Sequence, residues 1–547
     1  MTGAELLVRE LQGRGVPFVS VLCGNGLAPF LSAAAAADLR LVDTRNEQAA
    51  SYLADAYARL TGKVGVCAVS SGIAHVNAMA GLMNAWYDGA PMLLITGASP
   101  TPTLGRGGFQ DCDQVALARP LCKYVEQVAR PERIPQAVHE AFAAATSGRP
   151  GPTHLTIPVD VLNRQVDEAA PAPRVGARAA ASNLAAAGEQ AVSEAARLIA
   201  EGERPVIVAG SGVFYARGGE ALLSFARLAQ APIVTPIWDR GVVNEPSQEF
   251  LGVIGAASGE PRLLEDADLL ILAGTAVDYR TRYLDRPPLR EDLKVVRIDV
   301  DPGQLHQAVE PDLALLGDPG TVFGQLAAAW QEGGYQAHAA WMARAQASHR
   351  EFYSAWDRRP EAPAGAMTGF DLVQELKRVI TNDTVFLVDG GNIGQWAHMM
   401  LCQDRYPEDF LTCGASGVVG WGVPGAAAAK LLYPDRPVLL LSGDGSIGFG
   451  IAEFQSAARQ GLPFVCVLAN DSAWGIVLSG QREESTPLVA SELGVCDYVG
   501  VVQGLGGRAM RVASPEEIPP AVRAGFESGV PTLVEVPLAV LGPADCR

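Results

Sequence analysis

The sequence predicts an α/β protein made of three consecutive doubly wound parallel-sheet domains. A chain of 547 residues is too long for one hydrophobic core and has the length of roughly three ordinary domains. Short apolar runs of strand length alternate with stretches of helical periodicity along the whole chain. Two breaks, one rich in Ala and Pro and one polar, divide that alternation into three units. Near-continuous apolar strands with helices between them are what a parallel sheet covered on both faces requires.

The first unit, residues 1–167, opens with MTGAELLVRELQGRGV, whose charges are spread throughout, so it reads as an amphipathic helix and not as a secretion signal. Its strands are expected at FVSVL (18–22), at a run ending near Val42, at VGVCAVS (64–70) and at PMLLITG (91–97). EAAPAPRVGARAAASNLAAA (168–187) then reads as a linker. The second unit, 188–335, carries PVIVAG (205–210), APIVTP (231–236), DLLILAG (268–274) and KVVRIDV (294–300). A stretch containing DRRPEAPAG (357–365) precedes the third unit, 366–547. That unit holds TVFLVDGG (384–391), PVLLLSGDG (437–445), FVCVLAND (464–471) and TLVEVP (532–537).

Composition narrows the function. With 48% hydrophobic and 19% charged residues the chain is globular, not disordered. A formal charge of −18 with no cluster of Lys and Arg argues against nucleic acid or an anionic membrane as partner. No uncharged apolar run approaches the ~18 residues needed to cross a bilayer. The nine cysteines are scattered and contain no Cys-x-x-Cys pair, as expected for reduced thiols in a soluble cytoplasmic protein.

The segment LLLSGDGSIGFGIAEFQSAARQGLPFVCVLANDSAWG carries the most specific chemistry. It runs strand, tight turn, helix, strand and polar loop. Asp444 ends its first strand and Asn470-Asp471 end its second, so in a parallel sheet both open on the edge where ligands bind. Hard oxygen ligands beside a helix N-terminus suit a Mg²⁺ that grips a diphosphate, and Gly443 and Gly445 let the backbone approach the phosphates. GDGS alone also reads as an ordinary strand–helix turn capped by Asp. A second oxygen-bearing element one helix and one strand later weighs against that. In the first unit, Glu47 begins a helix with an Ala-rich face (Ala49, Ala50, Ala54, Ala58), where a carboxylate is also at home as a partner of the helix dipole.

GDGS followed at this distance by N-[ND] resembles the thiamine-diphosphate-binding motif, with Asp471 where the family usually has a second Asn. R-x-E-x-x-A-x-x-x-A-D-x-Y-A-R-x-T-G-K-x-G around Glu47 resembles the pyrimidine-binding domain of the acetolactate synthase and benzaldehyde lyase group. The likeness continues through SSGIAHVNAMAGLMNAWYDGAPMLLITG (70–97) and GRGGFQDCDQVALARPLCKY (105–124). It covers nearly the whole chain in the order pyrimidine, central and diphosphate domain. The resemblance implies thiamine diphosphate with Mg²⁺ held by Asp444, Asp471 and the Ala473 carbonyl. It implies that Glu47 binds the cofactor's pyrimidine nitrogen and favours the imino form that removes the C2 proton. Gly24, Asn25, Ser71, Gly72, Asn77, Ser446, Asn470 and Gly475 fall among the cofactor contacts, and Val419 matches the apolar wedge that bends the cofactor. Gly26, Phe109, Gln110, Trp474, Ile476 and Gly480 fall in the substrate pocket, where Gln110 would donate to a developing alkoxide. His75 lies beside the same loops, as a pocket residue or as a satisfied buried histidine.

The chain departs from both named relatives. Benzaldehyde lyases have a His where Gly26 stands, and acetolactate synthases a Trp where Gly480 stands. In the central unit VAGSGV (208–213) and RIDVDP (297–302) resemble a nucleotide-binding half, although a lone Gly-x-Gly is weak. Flavin-containing relatives carry His-Gly and Arg-Phe-Asp-Asp elements where this chain has IGAAS (254–258) and GTAVDYR (274–280), keeping Asp278 and Arg280. FAD or ADP therefore stays open. The expected function is a carboligase or lyase acting on 2-keto acids, nearest to acetolactate synthesis from pyruvate. An acyloin lyase, a 2-keto acid decarboxylase, a 2-hydroxyacyl-CoA lyase and a flavin-dependent oxidase are the alternatives. A homodimer or homotetramer with the cofactor at the subunit interface is expected.

Overall fold

The computed structural model describes residues 1–166, 185–256 and 262–543. The expected linker falls outside them up to residue 184. The apolar runs become three six-stranded sheets, parallel throughout and flanked by helices. The first contains β1 (Val19–Val21), β2 (Leu41–Asp43), β3 (Gly65–Val69), β4 (Met92–Ala98), β5 (Tyr124–Gln127) and β6 (Pro152–Pro158). The second contains β7 (Pro205–Ala209), β8 (Ile233–Pro236), β9 (Phe250–Ile254), β10 (Leu269–Ala273), β11 (Lys294–Asp299) and β12 (Leu313–Leu316). The third contains β13 (Val385–Asp389), β14 (Phe410–Thr412), β15 (Val438–Gly443), β16 (Val465–Asn470), β17 (Arg508–Arg511) and β18 (Thr532–Pro537).

The first and third sheets share one topology, β2-β1-β3-β4-β6-β5 and β14-β13-β15-β16-β18-β17. The central sheet differs, running β12-β11-β10-β7-β8-β9, the strand order of dinucleotide-binding folds. β15 and β16 pair with Gly443 opposite Ala469, so their carboxyl ends lie level and Asp444 and Asp471 leave the sheet on the same edge.

The first and third units share a hydrophobic core. Helix Glu47–Thr61 starts at Asn46, whose side chain accepts from the Ala49 amide at 2.7 Å, and stops at Gly62 in the left-handed region. Between its ends every residue from Ala49 to Leu60 is buried. Its alanines Ala50, Ala54 and Ala58 pack with β3, β4 and helix Ile73–Asp88. Its larger side chains, Tyr52, Leu53, Tyr57 and Leu60, pack with Trp421, Ala426 and strand residues of the third sheet. A helix in that position has no solvent face for charge, yet it carries Asp55 and Arg59. Arg59 Nε lies 2.8 Å from Asp88, Nη1 lies 3.8 Å from Asp55, and Nη1 donates across the junction to the Thr412 carbonyl at 2.8 Å. Burial lowers the Arg59 pKa, but Asp88 and Asp55 more than offset this and leave it raised. Burial pushes Asp55 up to about 7.

Breaking a buried ion pair from one side strands the remaining charges. Arg59→Met is therefore expected to lose about 3–5 kcal/mol of stability at pH 8. The loss should shrink as pH falls from 8 toward 7, because Arg59 lowers the Asp55 pKa and without it Asp55 takes up its proton at a higher pH than in the wild type. Thermal unfolding across that pH range measures it.

Candidate active site

The strand ends of the third sheet build a cavity of about 330 Å³. β13 delivers Gly390 and Gly391, which open helix Gly391–Leu401, and β15 delivers Gly443, which caps helix Asp444–Gly450. Past β16 the chain turns on Asn470. Its side-chain oxygen accepts from the Ser472 amide at 3.1 Å while its nitrogen donates to Glu535 at 2.7 Å. Ser472 sits at φ +56°, and this turn sets Asp471 and Ala473 against the cavity. Asp471 accepts from the Ala473 amide at 3.2 Å and from Asn392 at 3.4 Å. Gly475 then opens helix Gly475–Glu483, so two further helix N-termini beside Asp444 line the same space.

Electrostatics define what such a space holds. Asp444 is buried and its Oδ2 atom has no hydrogen-bond partner. Burial, and then the neighbouring Asp471 carboxylate, push Asp444 up to about 7; burial raises Asp471 as well. None of the described lining residues is Lys, Arg or His. Two carboxylates and a backbone carbonyl at Ala473 are hard oxygen donors of the kind Mg²⁺ takes. A diphosphate entering between the helix N-termini would meet those carboxylates as like charges unless a divalent cation lay between them. The residues thus fit a metal–diphosphate pair. The upper walls are apolar, formed by Val418, Val419, Trp474, Ile476, Leu538 and Leu541.

A second cluster of expected site residues lies on the equivalent edge of the first sheet. Gly24, Asn25 and Gly26 follow β1, Glu47 follows β2, Ser71 and Gly72 follow β3, and Phe109 and Gln110 come after β4. Glu47 accepts from Asn77 at 3.0 Å, the Ser70 hydroxyl donates to the Asn25 carbonyl at 2.7 Å, and the Gly72 amide donates to Gln114 at 2.9 Å. Ser71 lies 3.5 Å from Gln110, which has φ +58°, and Phe109 is 74% exposed. No residue of this cluster lines the cavity of the third sheet within the same chain. Beside the first cluster, helix Ile73–Asp88 exposes Ile73, Val76, Met83, Trp86 and Tyr87. In the cavity lining Ile476 and Val477 are exposed, as is Phe449, whose ring lies 6.2 Å from that of Trp474.

Three expected pocket positions behave differently. His75 has no exposed surface; its ring lies 4.7 Å from that of His154, and burial lowers its pKa to about 4. Of its two expected placements it takes the buried one, on the inner side of its helix, although neither ring nitrogen has a hydrogen-bond partner. A side chain at Gly26 would meet the Gly97–Ala98 backbone, its Cβ 3.0 Å from the Ala98 nitrogen, so a histidine has no room there. Gly480 lies outside the cavity lining and a Cβ on it would touch nothing within 4 Å. Sequence reasoning missed Gly390, Gly391 and Asn392, although Asp-Gly-Gly-Asn at a strand end was a readable signal. It also missed Trp238, which reaches the cavity from the central unit at φ +76° and carries no sequence signal for doing so.

In the central unit Arg280 is committed internally. It donates to Asp239 and the Ile237 carbonyl at 2.9 Å each and to Asp278 at 2.8 Å. Gly212 donates to the Gly274 carbonyl at 2.8 Å, closing the two loops at the sheet's switch point against each other. The pair kept from the flavin pattern therefore serves the fold and offers no free cation to an adenine nucleotide. Part of IGAAS, from residue 257, lies outside the described residues.

Paired carboxylates and helix N-termini on one sheet, with Glu47 on a second sheet of equal topology, are an arrangement that fits a thiamine diphosphate enzyme. Three family models match in the same order: the N-terminal binding domain of thiamine pyrophosphate enzymes over residues 1–117, the central domain over 192–326 and the C-terminal binding domain over 389–536. A probable acetolactate synthase large subunit of Methanocaldococcus jannaschii is 30% identical over 100% of this chain and 93% of its own length. The acetolactate synthase large subunit of Corynebacterium glutamicum is 30% identical over 96% and 85%. A 2-hydroxyacyl-CoA lyase 2 of Caenorhabditis elegans is 30% identical over 92% and 83%. The chain belongs to the acetolactate synthase-like family of thiamine pyrophosphate-dependent enzymes.

Asp444→Ala should abolish Mg²⁺-dependent cofactor binding in calorimetry, whereas Asp471→Asn should change it little. The sign of a pH effect also follows. A carboxyl whose native pKa is raised to about 7 destabilises the fold as pH climbs from its unfolded value toward 7. The cofactor-free protein should therefore gain stability above pH 7 on Asp444→Asn and almost none near pH 4, measured by thermal unfolding.

Proposed function

We propose that the protein joins or cleaves a carbon–carbon bond next to a carbonyl, taking a 2-keto acid as donor, with acetolactate synthesis from pyruvate the nearest named reaction. The observation that carries this is the pairing of the Asp444–Asp471 cavity with an apolar upper wall. When bound, thiamine diphosphate supplies the thiazolium carbon that adds to a carbonyl. Mg²⁺ would be held by Asp444, Asp471 and the Ala473 carbonyl, with the diphosphate over Gly443, Gly445, Ser446 and Gly475. Glu47, kept in place by Asn77, would hold the proton on the pyrimidine nitrogen that sets the activating tautomer. Val419 would bend the cofactor, and Phe109, Trp474 and Ile476 would keep water from the reacting carbon until the acceptor arrives. Gln110 would donate to the developing alkoxide.

The active unit in this reading is at least a homodimer, with the glutamate of one chain completing the cavity of another. The separation of the two clusters within one chain and the apolar side chains exposed beside each support it. The domains would span 1–167, 188–335 and 366–547. The described cysteines are free, which suits a reducing compartment. No helix among the described residues is long and apolar enough to cross a membrane. The reaction needs no flavin, and Arg280 gives one no support.

A second reading is cleavage of a 2-hydroxyacyl-CoA. The likeness to the nematode lyase and the open space at Gly480, where acetolactate synthases carry a Trp, favour it. Incubation with pyruvate under air, following acetolactate, acetaldehyde, peroxide and oxygen, decides between them. The main reading expects acetolactate without oxygen uptake. No turnover of pyruvate, with cleavage of a 2-hydroxyacyl-CoA, would replace it with the second. Glu47→Gln should leave cofactor binding intact and slow C2 proton exchange by roughly 10²–10⁴; exchange at the wild-type rate would remove Glu47 from the mechanism.

A further inference from the structure

We propose that Asp88 and Asn84 are positioning residues that fix the loop carrying Val419, and through it the bend of the cofactor. The proposal rests on the thiamine reading above. The loop is CGASGVVGW, residues 413–421, and it contains three glycines in the left-handed region: Gly414 at φ +104°, Gly417 at +69° and Gly420 at +84°. Such a run has little stiffness of its own, because glycine backbone is held by no side chain. Val419 nevertheless lines the cavity opposite Gly443, Asp444 and Gly445 and has to keep a fixed position there. The stiffness must come from outside the loop.

It comes from two sides. From beneath, Asp389 at the end of β13 accepts from the Gly420 amide at 3.3 Å and from the Gly422 amide at 2.7 Å. From the other side, the first unit of the same chain grips the loop at three positions, Ala415, Ser416 and Trp421. Asp88 accepts from the Ala415 amide at 2.8 Å, Asn84 accepts from the Ser416 hydroxyl at 2.5 Å, and Asp55 accepts from the Trp421 indole at 3.0 Å. Arg59 holds the Thr412 carbonyl just before the loop. The fit at Gly414 is close enough that a Cβ would lie 2.2 Å from Asp88 Oδ2.

Asn84, Asp88, Asp55 and Arg59 are all buried, and burial raises the pKa of both carboxylates. Buried charge of this kind is costly where apolar packing would serve for stability alone. The Ala415 amide, however, can be held only by an acceptor, and Asp88 of helix Ile73–Asp88 supplies it, while Asn84 and Asp55 take the Ser416 hydroxyl and the Trp421 indole. The cluster thus sets where Val419 stands without touching the cofactor.

The test is C2 hydrogen–deuterium exchange of thiamine diphosphate in the holoenzyme, with the melting temperature of each variant. Asp88→Ala removes the acceptor and should slow exchange about 10- to 100-fold, the cost of a small misplacement. Asp88→Asn keeps an oxygen for the Ala415 amide and should restore most of the rate. Val419→Ala should itself slow exchange, and in that background Asp88→Ala should add little, since both act on one contact. A purely structural Asp88 would give independent, multiplicative losses, and that result would overturn the proposal. So would a wild-type rate in folded Asp88→Ala. If Asp88→Ala does not fold, Ser416→Ala removes the Asn84 contact without touching a charge. It should slow exchange about fivefold, the equivalent of one neutral hydrogen bond, and an unchanged rate there overturns the proposal. Slow exchange in Glu47→Gln beside normal exchange in Asp88→Ala would discard the positioning role and leave the thiamine reading standing. Normal exchange in both would discard both.

Discussion

The two carboxylates at the ends of β15 and β16 face a cavity that offers them no cationic side chain among its described lining residues. That electrostatic imbalance is the constraint on which the rest of the site depends. A pocket that keeps Asp444 unpaired and raises it to about 7 is poorly built for a protein alone. It becomes reasonable once a divalent cation and an anionic group share it, because the cation pairs with both carboxylates and the helix N-termini take the anion. Everything nearby follows from holding that arrangement still. Asn470 fixes the turn before Asp471, Asn392 braces Asp471 from the first turn of the helix that follows β13, and the Trp474 ring packs over Gly445 so tightly that a Cβ there would lie 2.6 Å from it.

The first unit carries Glu47 where the third carries its carboxylate pair. Its sheet repeats the topology of the third, so its strand ends form an equivalent edge, but the residues on it are Gly, Asn, Ser, Phe and Gln around Glu47. In the proposed reading one edge would take the charged end of the cofactor and the other its aromatic end. Helix Glu47–Thr61 connects both tasks, with Glu47 at its open N-terminus and the Asp55–Arg59 pair sealed against the third unit. The central sheet contributes Trp238 to the cavity and a buried Arg240 whose guanidinium donates to the Phe410 carbonyl at 3.0 Å, and so also braces β14.

Much of this was legible in the sequence, and what was missed has physical causes. The long apolar strands were readable because a strand buried on both faces admits little else, as β4, β10 and β15 show. Edge strands such as β5 (YVEQ) and β17 (RAMR) are half polar and lack that signature, and β6 hides its pattern behind His154 and Thr156, which bond to each other and to Thr96 of β4. Asp444 and Asp471 drew notice as oxygen donors at strand ends, whereas Glu47 alone read as a carboxylate at a helix start and was raised by the motif around it. His75 stayed open between pocket and core because adjacency to a loop says nothing about which side of a helix a residue takes; its side chain turns inward onto β6. Trp238 and the Asp88–Ala415 contact depend on tertiary packing between distant segments, which no local pattern encodes.

The central claim is that one catalytic site is composed of two chains, Glu47 from the first and the Asp444–Asp471 cavity from the second. Mixing two inactive proteins tests it directly. Glu47→Gln and Asp444→Ala homomers, dissociated and reassociated together at equal amounts, should regain activity, because half of the sites in each mixed dimer then combine an intact Glu47 with an intact Asp444. Such dimers are half of a random population, so about a quarter of the wild-type specific activity is expected if the two sites work independently. A mixture as inactive as its components, after exchange of subunits has been verified by mass, would contradict the composite site.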